Sequence, residues 1–291
     1  MKINIAKSSG FCFGVKRAIE ISSSLACPGK KVYVLGDIVH NSFVVEDLRK
    51  KGIKKIEQIR PMKNATLIIR AHGAGKSTFL KAEKCGFKIV DATCPKVKEI
   101  YKIARQLEKS HRIIIIGDAG HDEVKGIAGQ LEHKPIVVES PGTVPFGKLR
   151  NFRKAAVITQ STQTLDNINS TMDVLRSVLP DVELYNTTCR TTHIKQEEIN
   201  RLPRNNDVVL IIGSKTSANT KRLFQISRKI NNKTYWIESS RGLRSSWLTG
   251  ARSVGIMAGA STPDKITDAV VKKLKSFGNS TGKRPSRQSA K

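Results

Sequence analysis

The sequence predicts an α/β fold of three similar lobes, each a parallel sheet with covering helices. Short apolar runs alternate with helix-period segments along nearly the whole chain, the pattern left by repeated βαβ units. A length of 291 residues suits two or three compact lobes. A strand–Cys–helix junction also recurs three times, at Cys12, Cys94 and Cys189, whose numbers differ by 82 and 95. Each interval is about the size of a small domain. Three matched junctions suggest three thiolates meeting at one centre.

Lobe one, residues 1–93, opens with the strand-like run Ile3-Asn4-Ile5-Ala6 before Cys12, and Val15–Glu20 continues as a helix. Strands follow at Lys31–Leu35, Ala65–Ile69 and Phe87–Val90, with helices near Asn41–Lys51 and Ser77–Cys85 between them. Lobe two, residues 94–189, starts on Cys94-Pro95, where proline suits a first helical position because no amide bond is lost there. Val97, Ile100, Tyr101, Ala104 and Leu107 then recur at helical spacing. Its strands are Arg112–Ile116, Lys154–Ile158 and Val182–Tyr185, and its helices start near His121 and Thr164. Lobe three, residues 190–277, begins with a polar helix ending near Leu202. It has strands at Asp207–Ile212, Lys233–Ile237 and Ser253–Met257, with helices after Ser217 and Thr262. The segment 278–291 carries four basic residues, no acidic ones and no apolar period, which predicts a disordered basic tail.

The charge is +28, from 52 Lys and Arg against 24 Asp and Glu. Nucleic acid, an acidic protein or an anionic substrate could answer such a surface. Basic residues are scattered rather than clustered, and only 5% of residues are aromatic, so base stacking has little material. A general lysine bias is the favoured reading, and no specific nucleic-acid partner is expected. Five cysteines without close pairs do not form a disulfide framework. The start, Met1–Lys7, lacks an apolar signal region, and runs such as Val208–Ile212 are too short to span a bilayer. A reducing cytoplasm, away from membranes, is the expected location.

In open parallel sheets, ligands bind beyond the carboxyl ends of the strands. The residues expected there are His40, His72 and Cys94, then His121, Ser161, Thr162 and Cys189, then Ser217, Asn219 and Ser261. A thiol at a helix start lies near unpaired amides and the positive end of the dipole, which lowers its pKa. One such cysteine would be ordinary; three in matched positions favour an iron–sulfur cluster over structural zinc, which prefers four ligands and a CxxC pair. Cys27 reads as a loop thiol and Cys85 as a helix end. His40 and His72, at equivalent strand ends, fit donors to an anion. Glu123 in a first helical turn is commonly a dipole partner, but beside an anion and a cluster it fits a proton donor. Gly75-Lys76-Ser77 ends like a P-loop, yet Arg70 stands where that motif needs glycine. Gly213–Asn219 makes a donor-rich turn suited to phosphate.

Together these segments resemble the 4-hydroxy-3-methylbut-2-enyl diphosphate reductases, the last enzymes of the methylerythritol phosphate route to isoprenoids. The resemblance rests on Gly10-Phe11-Cys12-Phe13-Gly14-Val15, Val39-His40-Asn41, Arg70-Ala71-His72-Gly73, Asp91-Ala92-Thr93-Cys94-Pro95 and Gly120-His121-Asp122-Glu123-Val124. Thr159-Gln160-Ser161-Thr162, Gly213–Asn219 and Ala258-Gly259-Ala260-Ser261-Thr262-Pro263-Asp264 extend it. It implies a trefoil of three lobes around one 4Fe-4S cluster held by Cys12, Cys94 and Cys189, with the fourth iron open to substrate. It further implies that His40, His72, His121, Ser217, Asn219 and Ser261 bind the diphosphate, with Ser161 and Thr162 beside the substrate alcohol. Glu123 is implied as proton donor, with His121 beside it, and a ferredoxin or flavodoxin as electron source. Phe13, Asp122 and Ala218 stand where the family usually has Ala, Pro and Ser, and Ser161 where it usually has Thr. Two other functions compete: a different three-cysteine cluster enzyme of the quinolinate-synthase-like dehydratase kind, and a basic, non-enzymatic nucleic-acid binder. The second predicts binding that weakens steeply with salt and ignores the cysteines.

Overall fold

The computed structural model describes residues 1–150 and 152–280. Strands and helices are numbered in chain order. The strands are β1 (Lys2–Ile5), β2 (Lys31–Leu35), β3 (Lys54–Ile56), β4 (Ala65–Ile69), β5 (Phe87–Asp91), β6 (Arg112–Ile116), β7 (Ile136–Val138) and β8 (Ala155–Thr159). Then come β9 (Val182–Tyr185), β10 (Val208–Ile212), β11 (Thr234–Ile237) and β12 (Ser253–Ala258). The helices are α1 (Phe13–Ser24), α2 (Ser42–Lys50), α3 (Lys76–Lys84), α4 (Pro95–Leu107), α5 (Asp122–Ala128) and α6 (Phe146–Leu149). They continue with α7 (Leu165–Val178), α8 (Arg190–Arg201), α9 (Ala218–Ile230) and α10 (Asp264–Ser280).

Three sheets of four strands result, ordered β3-β2-β4-β5, β7-β6-β8-β9 and β1-β12-β10-β11, and every recorded pairing is parallel. The α/β expectation therefore holds. Central strands such as Val208–Ile212 are buried at every position, because helices cover both faces and no alternation is needed. Helix starts follow the caps written in the sequence. Asn41 accepts the Phe43 amide at 3.0 Å, Thr164 that of Asn167 at 3.3 Å, and Ser217 that of Thr220 at 3.3 Å. Two three-residue edge strands, β3 and β7, are absent from the sequence reading; runs this short carry too little periodicity to detect.

By compactness the chain forms two units, one joining Met1–Phe11 to the chain from Lys195 onward, the other spanning Cys12–Ile194. The larger unit contains two of the sheets. The smaller contains the third, and here one expectation fails: β1 does not belong with the strands of lobe one. It pairs with β12, Lys2 opposite Ser253 and Ile5 opposite Ile256. The physical reason is burial, since Ile3 packs against the core of Val208, Leu210, Val254, Ile256, Val270 and Leu274. The expectation of a disordered tail from Gly278 fails for its first three residues. Helix α10 continues through Ser280, and the remainder, 281–291, lies outside the described residues. Among the described residues, no helix is long and apolar enough to cross a membrane.

Leu210 is fully buried on β10, between β12 and β11. Leu210→Ala should cost about 2–5 kcal/mol, the range for emptying a buried leucine site. Chemical denaturation at constant m-value measures the change.

Candidate active site

Each of the three junction cysteines directly precedes a helix, and its carbonyl accepts the first intrahelical bond. Cys12 receives the Lys16 amide at 3.0 Å, Cys94 that of Lys98 at 3.0 Å and Cys189 that of His193 at 3.1 Å. Pro95 occupies the first turn of α4 as expected. The cysteine amides are anchored too. Cys94 donates to the Ala71 carbonyl at 3.0 Å, and Cys189 to the Ser161 carbonyl at 2.9 Å. The loops after β4 and β8 thus hold the second and third thiols. Helix α1 meets the second thiol directly, because a Cβ placed on Gly14 would collide with Cys94 Sγ. No disulfide joins the five cysteines, all of them among the described residues; Cys27 is exposed, and Cys85 packs at the edge of an apolar cluster.

The expected lowering of a thiol pKa is reversed at Cys94. Burial pushes it up, outweighing the Lys96 and Val97 amides that donate to it, and Cys12 and Cys189 push the same way. Cys94 is therefore close enough to both other cysteines to feel their charge. Neutral thiols tolerate this arrangement, but three thiolates need a cation among them. The donor set fits an iron–sulfur cubane: three sulfurs, amides aimed at a thiolate, and a glycine where a methyl would intrude.

His40 follows β2, His72 follows β4 and His121 follows β6, so three separate strand ends supply one group. Ring centroids of His40 and His72 lie 4.3 Å apart, those of His40 and His121 5.1 Å, and those of His72 and His121 5.4 Å. One nitrogen of each ring lies within 4.8 Å of the other two, a spacing open to an ion as well as to an oxyanion. The Glu123 amide donates to His121 Nδ1 at 3.1 Å, so the neutral ring carries its proton on Nε2 and can donate it. His72 Nδ1 is buried and has no hydrogen-bond partner among the described residues. Burial holds His72 well below the ordinary imidazole value, reinforced by His40, His121 and Arg70. Burial lowers His40 as well, against the pull of Asp122. That carboxylate pairs with Arg70 at 2.7 Å and stands 3.7 Å from His40 Nε2.

Glu123 is 3% exposed on the first turn of α5. Its two carboxylate oxygens are taken by one residue: Oε1 accepts the Ser161 amide at 2.6 Å and Oε2 the Ser161 hydroxyl at 2.7 Å. The carbonyl of the same serine receives the Cys189 amide, so acid, hydroxyl and third thiol form one bonded sequence. Thr162 follows, half-buried. Gln160 precedes; its Oε1 accepts the Asp118 amide at 2.9 Å, while its buried Nε2 lacks a hydrogen-bond partner among the described residues.

In the smaller unit, Ser217, Asn219 and Ser261 are each 6% exposed. Ser217 and Asn219 follow β10 at the start of α9 and Ser261 follows β12, and the two strands are neighbours in the sheet. Ser217 caps α9, and the buried Asn219 Nδ2 has no hydrogen-bond partner among the described residues, an orphan donor that a ligand could satisfy. Arg70, Asp122, Gln160 and Gly14 were not marked as site residues from sequence. All four sit inside or beside the quoted motifs, which is where a search would find them.

Parallel sheets with thiols, imidazoles and a buried carboxylate at their strand ends define an α/β protein with chemistry at the carboxyl edge. A family model described as LytB protein matches residues 3–275. The 4-hydroxy-3-methylbut-2-enyl diphosphate reductase of Geotalea daltonii is 38% identical over 95% of this chain and 98% of its own. That of Caldanaerobacter subterraneus is 39% identical over 95% and 98%. A solved (E)-4-hydroxy-3-methyl-but-2-enyl diphosphate reductase, called the terminal enzyme of the non-mevalonate pathway, is 35% identical, covers 95% of this chain and 100% of its own, and superposes with a TM-score of 0.70. The corresponding Plasmodium falciparum reductase is 27% identical, covers 98% and 89%, and superposes at 0.85. This chain belongs to the LytB family.

The lowered histidines make stability pH-dependent. Below an ordinary imidazole pKa of about 6.5, the unfolded chain binds protons that the folded chain refuses. Stability is therefore complete above that value and falls with pH, by up to about 1.4 kcal/mol per pH unit for each histidine, until the folded pKa is reached. Thermal midpoints of the ligand-free protein should drop as pH falls below about 6.5. His72→Asn should flatten that slope; an unchanged slope would contradict the burial argument.

Proposed function

We propose that this chain carries out the reductive dehydroxylation of 4-hydroxy-3-methylbut-2-enyl diphosphate to isopentenyl diphosphate and dimethylallyl diphosphate. Family membership supports the reaction. The observation that carries the chemistry is the buried Glu123 carboxylate, bonded through Ser161 to the loop that anchors Cys189. Overall, the allylic C–O bond breaks, two electrons and two protons are taken up, and water leaves.

Cys12, Cys94 and Cys189 would hold a 4Fe-4S cluster. When bound, it supplies electrons to the substrate and a Lewis-acidic iron for the leaving hydroxyl. The protein's own groups do the rest. His40, His72 and His121 bind the diphosphate; an anion beside the rings favours their protonation and opposes the lowering that burial imposes on His40 and His72. Ser217, Asn219 and Ser261 add hydroxyl and amide donors to the same group. Glu123, once protonated on Oε2, supplies a proton to the departing hydroxyl: the Ser161 hydroxyl, which donates to Oε2 while the carboxylate is ionised, turns to accept that proton as it passes its own onward. Thr162 lines the alcohol side. Burial of Glu123 keeps bulk water from competing for that proton.

The electron source is an external carrier, a ferredoxin or flavodoxin. A charge of +28 suits an acidic carrier. Cysteines without disulfides suit a reducing cytoplasm.

Single Cys→Ser variants at Cys12, Cys94 and Cys189 should lose iron and sulfide, while those at Cys27 and Cys85 should load fully. Iron and sulfide assays after anaerobic preparation decide this, and full loading of any of the first three contradicts the ligand set. Glu123→Gln keeps shape and hydrogen bonding but cannot release a proton. It should bind cluster and substrate normally and lose roughly 10²–10⁴-fold in kcat with little change in KM. Near-normal kcat in the loaded variant would reduce Glu123 to a helix-dipole partner.

A further inference from the structure

Helix α8 has a buried stripe that is polar rather than apolar. Thr192, Lys195, Gln196 and Ile199 recur at helical spacing and are all buried, Lys195 to 1% exposure. A buried lysine is tolerated only when its charge and donors are matched. Lys195 Nζ donates to the Ser8 carbonyl, to that of Gly10 at 3.0 Å and to that of Ala258 at 3.4 Å. One turn along α8, Glu198 grips the same loop from its amide side. Its carboxylate accepts the Lys7 amide at 2.5 Å, the Ser8 amide at 2.8 Å and the Ser8 hydroxyl at 2.6 Å. Burial opposes that charge, but the bonds from Ser8 and Lys7 and the nearby Lys195 hold the carboxyl below its ordinary value. The loop is also fixed to β12, since Ser9 Oγ accepts the Ala258 amide at 2.7 Å and the Gly10 amide reaches the Ala258 carbonyl at 3.3 Å.

A loop four residues long thus has its carbonyls held by a cation and its amides by an anion, both from one helix. Nothing in a surface turn needs this. Gly10, however, stands two residues before Cys12, so whatever fixes Lys7–Gly10 also fixes where the first thiol leaves the fold.

We propose that Lys195 and Glu198 are positioning residues for Cys12, clamping the preceding loop so that its thiol is presented in one place. The inference rests on the cluster reading above, and its test separates the two. Lys195→Met removes the charge at similar length, and Glu198→Gln removes it at nearly constant size. Val254→Ala, in the core of the same sheet, serves as a destabilised control with the clamp intact.

Hydrogen exchange of the peptide covering residues 6–14 should accelerate about tenfold in both clamp variants, with β10 and β12 unchanged. In metal-free protein, alkylation of Cys12 located by mass spectrometry should likewise change about tenfold. In the anaerobically loaded protein, chelator-driven iron release should quicken roughly 10–100-fold, the usual effect of losing an outer support, and the cluster's EPR g-values should shift. Val254→Ala should show none of these. Should Lys195→Met fail to fold, Glu198→Gln carries all the readouts alone. Unchanged exchange, or faster exchange with wild-type Cys12 alkylation, iron release and EPR signal, would overturn the proposal. If the wild type takes up no iron, the cluster reading falls, while exchange and alkylation still decide the clamp.

Discussion

Two backbone hydrogen bonds organise the larger unit: the Cys94 amide to the Ala71 carbonyl and the Cys189 amide to the Ser161 carbonyl. Each joins a thiol-bearing turn to the loop of a neighbouring strand in the same sheet. Ala71 is the residue before His72, and Ser161 donates to both Glu123 oxygens. Sulfur, imidazole and carboxylate therefore stand on connected backbone, and none can shift by an ångström without straining the others. Parallel pairing makes this possible, because every strand of a sheet delivers its following loop to the same edge.

The electrostatics of that edge are unfavourable as they stand. Cys12 and Cys189 both oppose a charge on Cys94, and at least two of three clustered imidazoles resist protonation. Each half of the problem has a complementary answer, a cationic group among the sulfurs and an anion among the rings. Unmet demand of this kind is a mark of a functional site, since a purely structural cluster would have evolved neutral partners. Arg70 with Asp122 adds local tuning: the guanidinium opposes a proton on His40 and the carboxylate favours one, and the two are locked together.

Much of this was legible in the sequence, for identifiable reasons. Strands β2, β4, β6 and β9 fall at the expected residues because each is an apolar run bounded by turn residues. The histidines and cysteines were legible because strand-end positions can be counted once the βαβ rhythm is known. The partnership of β1 was not, since an edge strand of four residues says nothing about which sheet it joins. The direction of the Cys94 shift was also hidden: a helix start and burial act oppositely, and only the fold says which is larger. Lys195 was the least legible of all. In His193-Ile194-Lys195-Gln196-Glu197-Glu198 it reads as a solvated charge, and its burial depends on carbonyls from residues far away in the chain.

The pairing of β1 with β12 reaches back to the order in which the chain is made. Lys2 finds Ser253 only after some 250 residues have left the ribosome, so the first strand waits unpaired while the two sheets of the larger unit can already close. Contacts of such sequence separation form late and slowly. The sheet that holds β1 therefore needs strands from both ends of the described chain, whereas the strands of the other two sheets lie within residues 31–91 and 112–185.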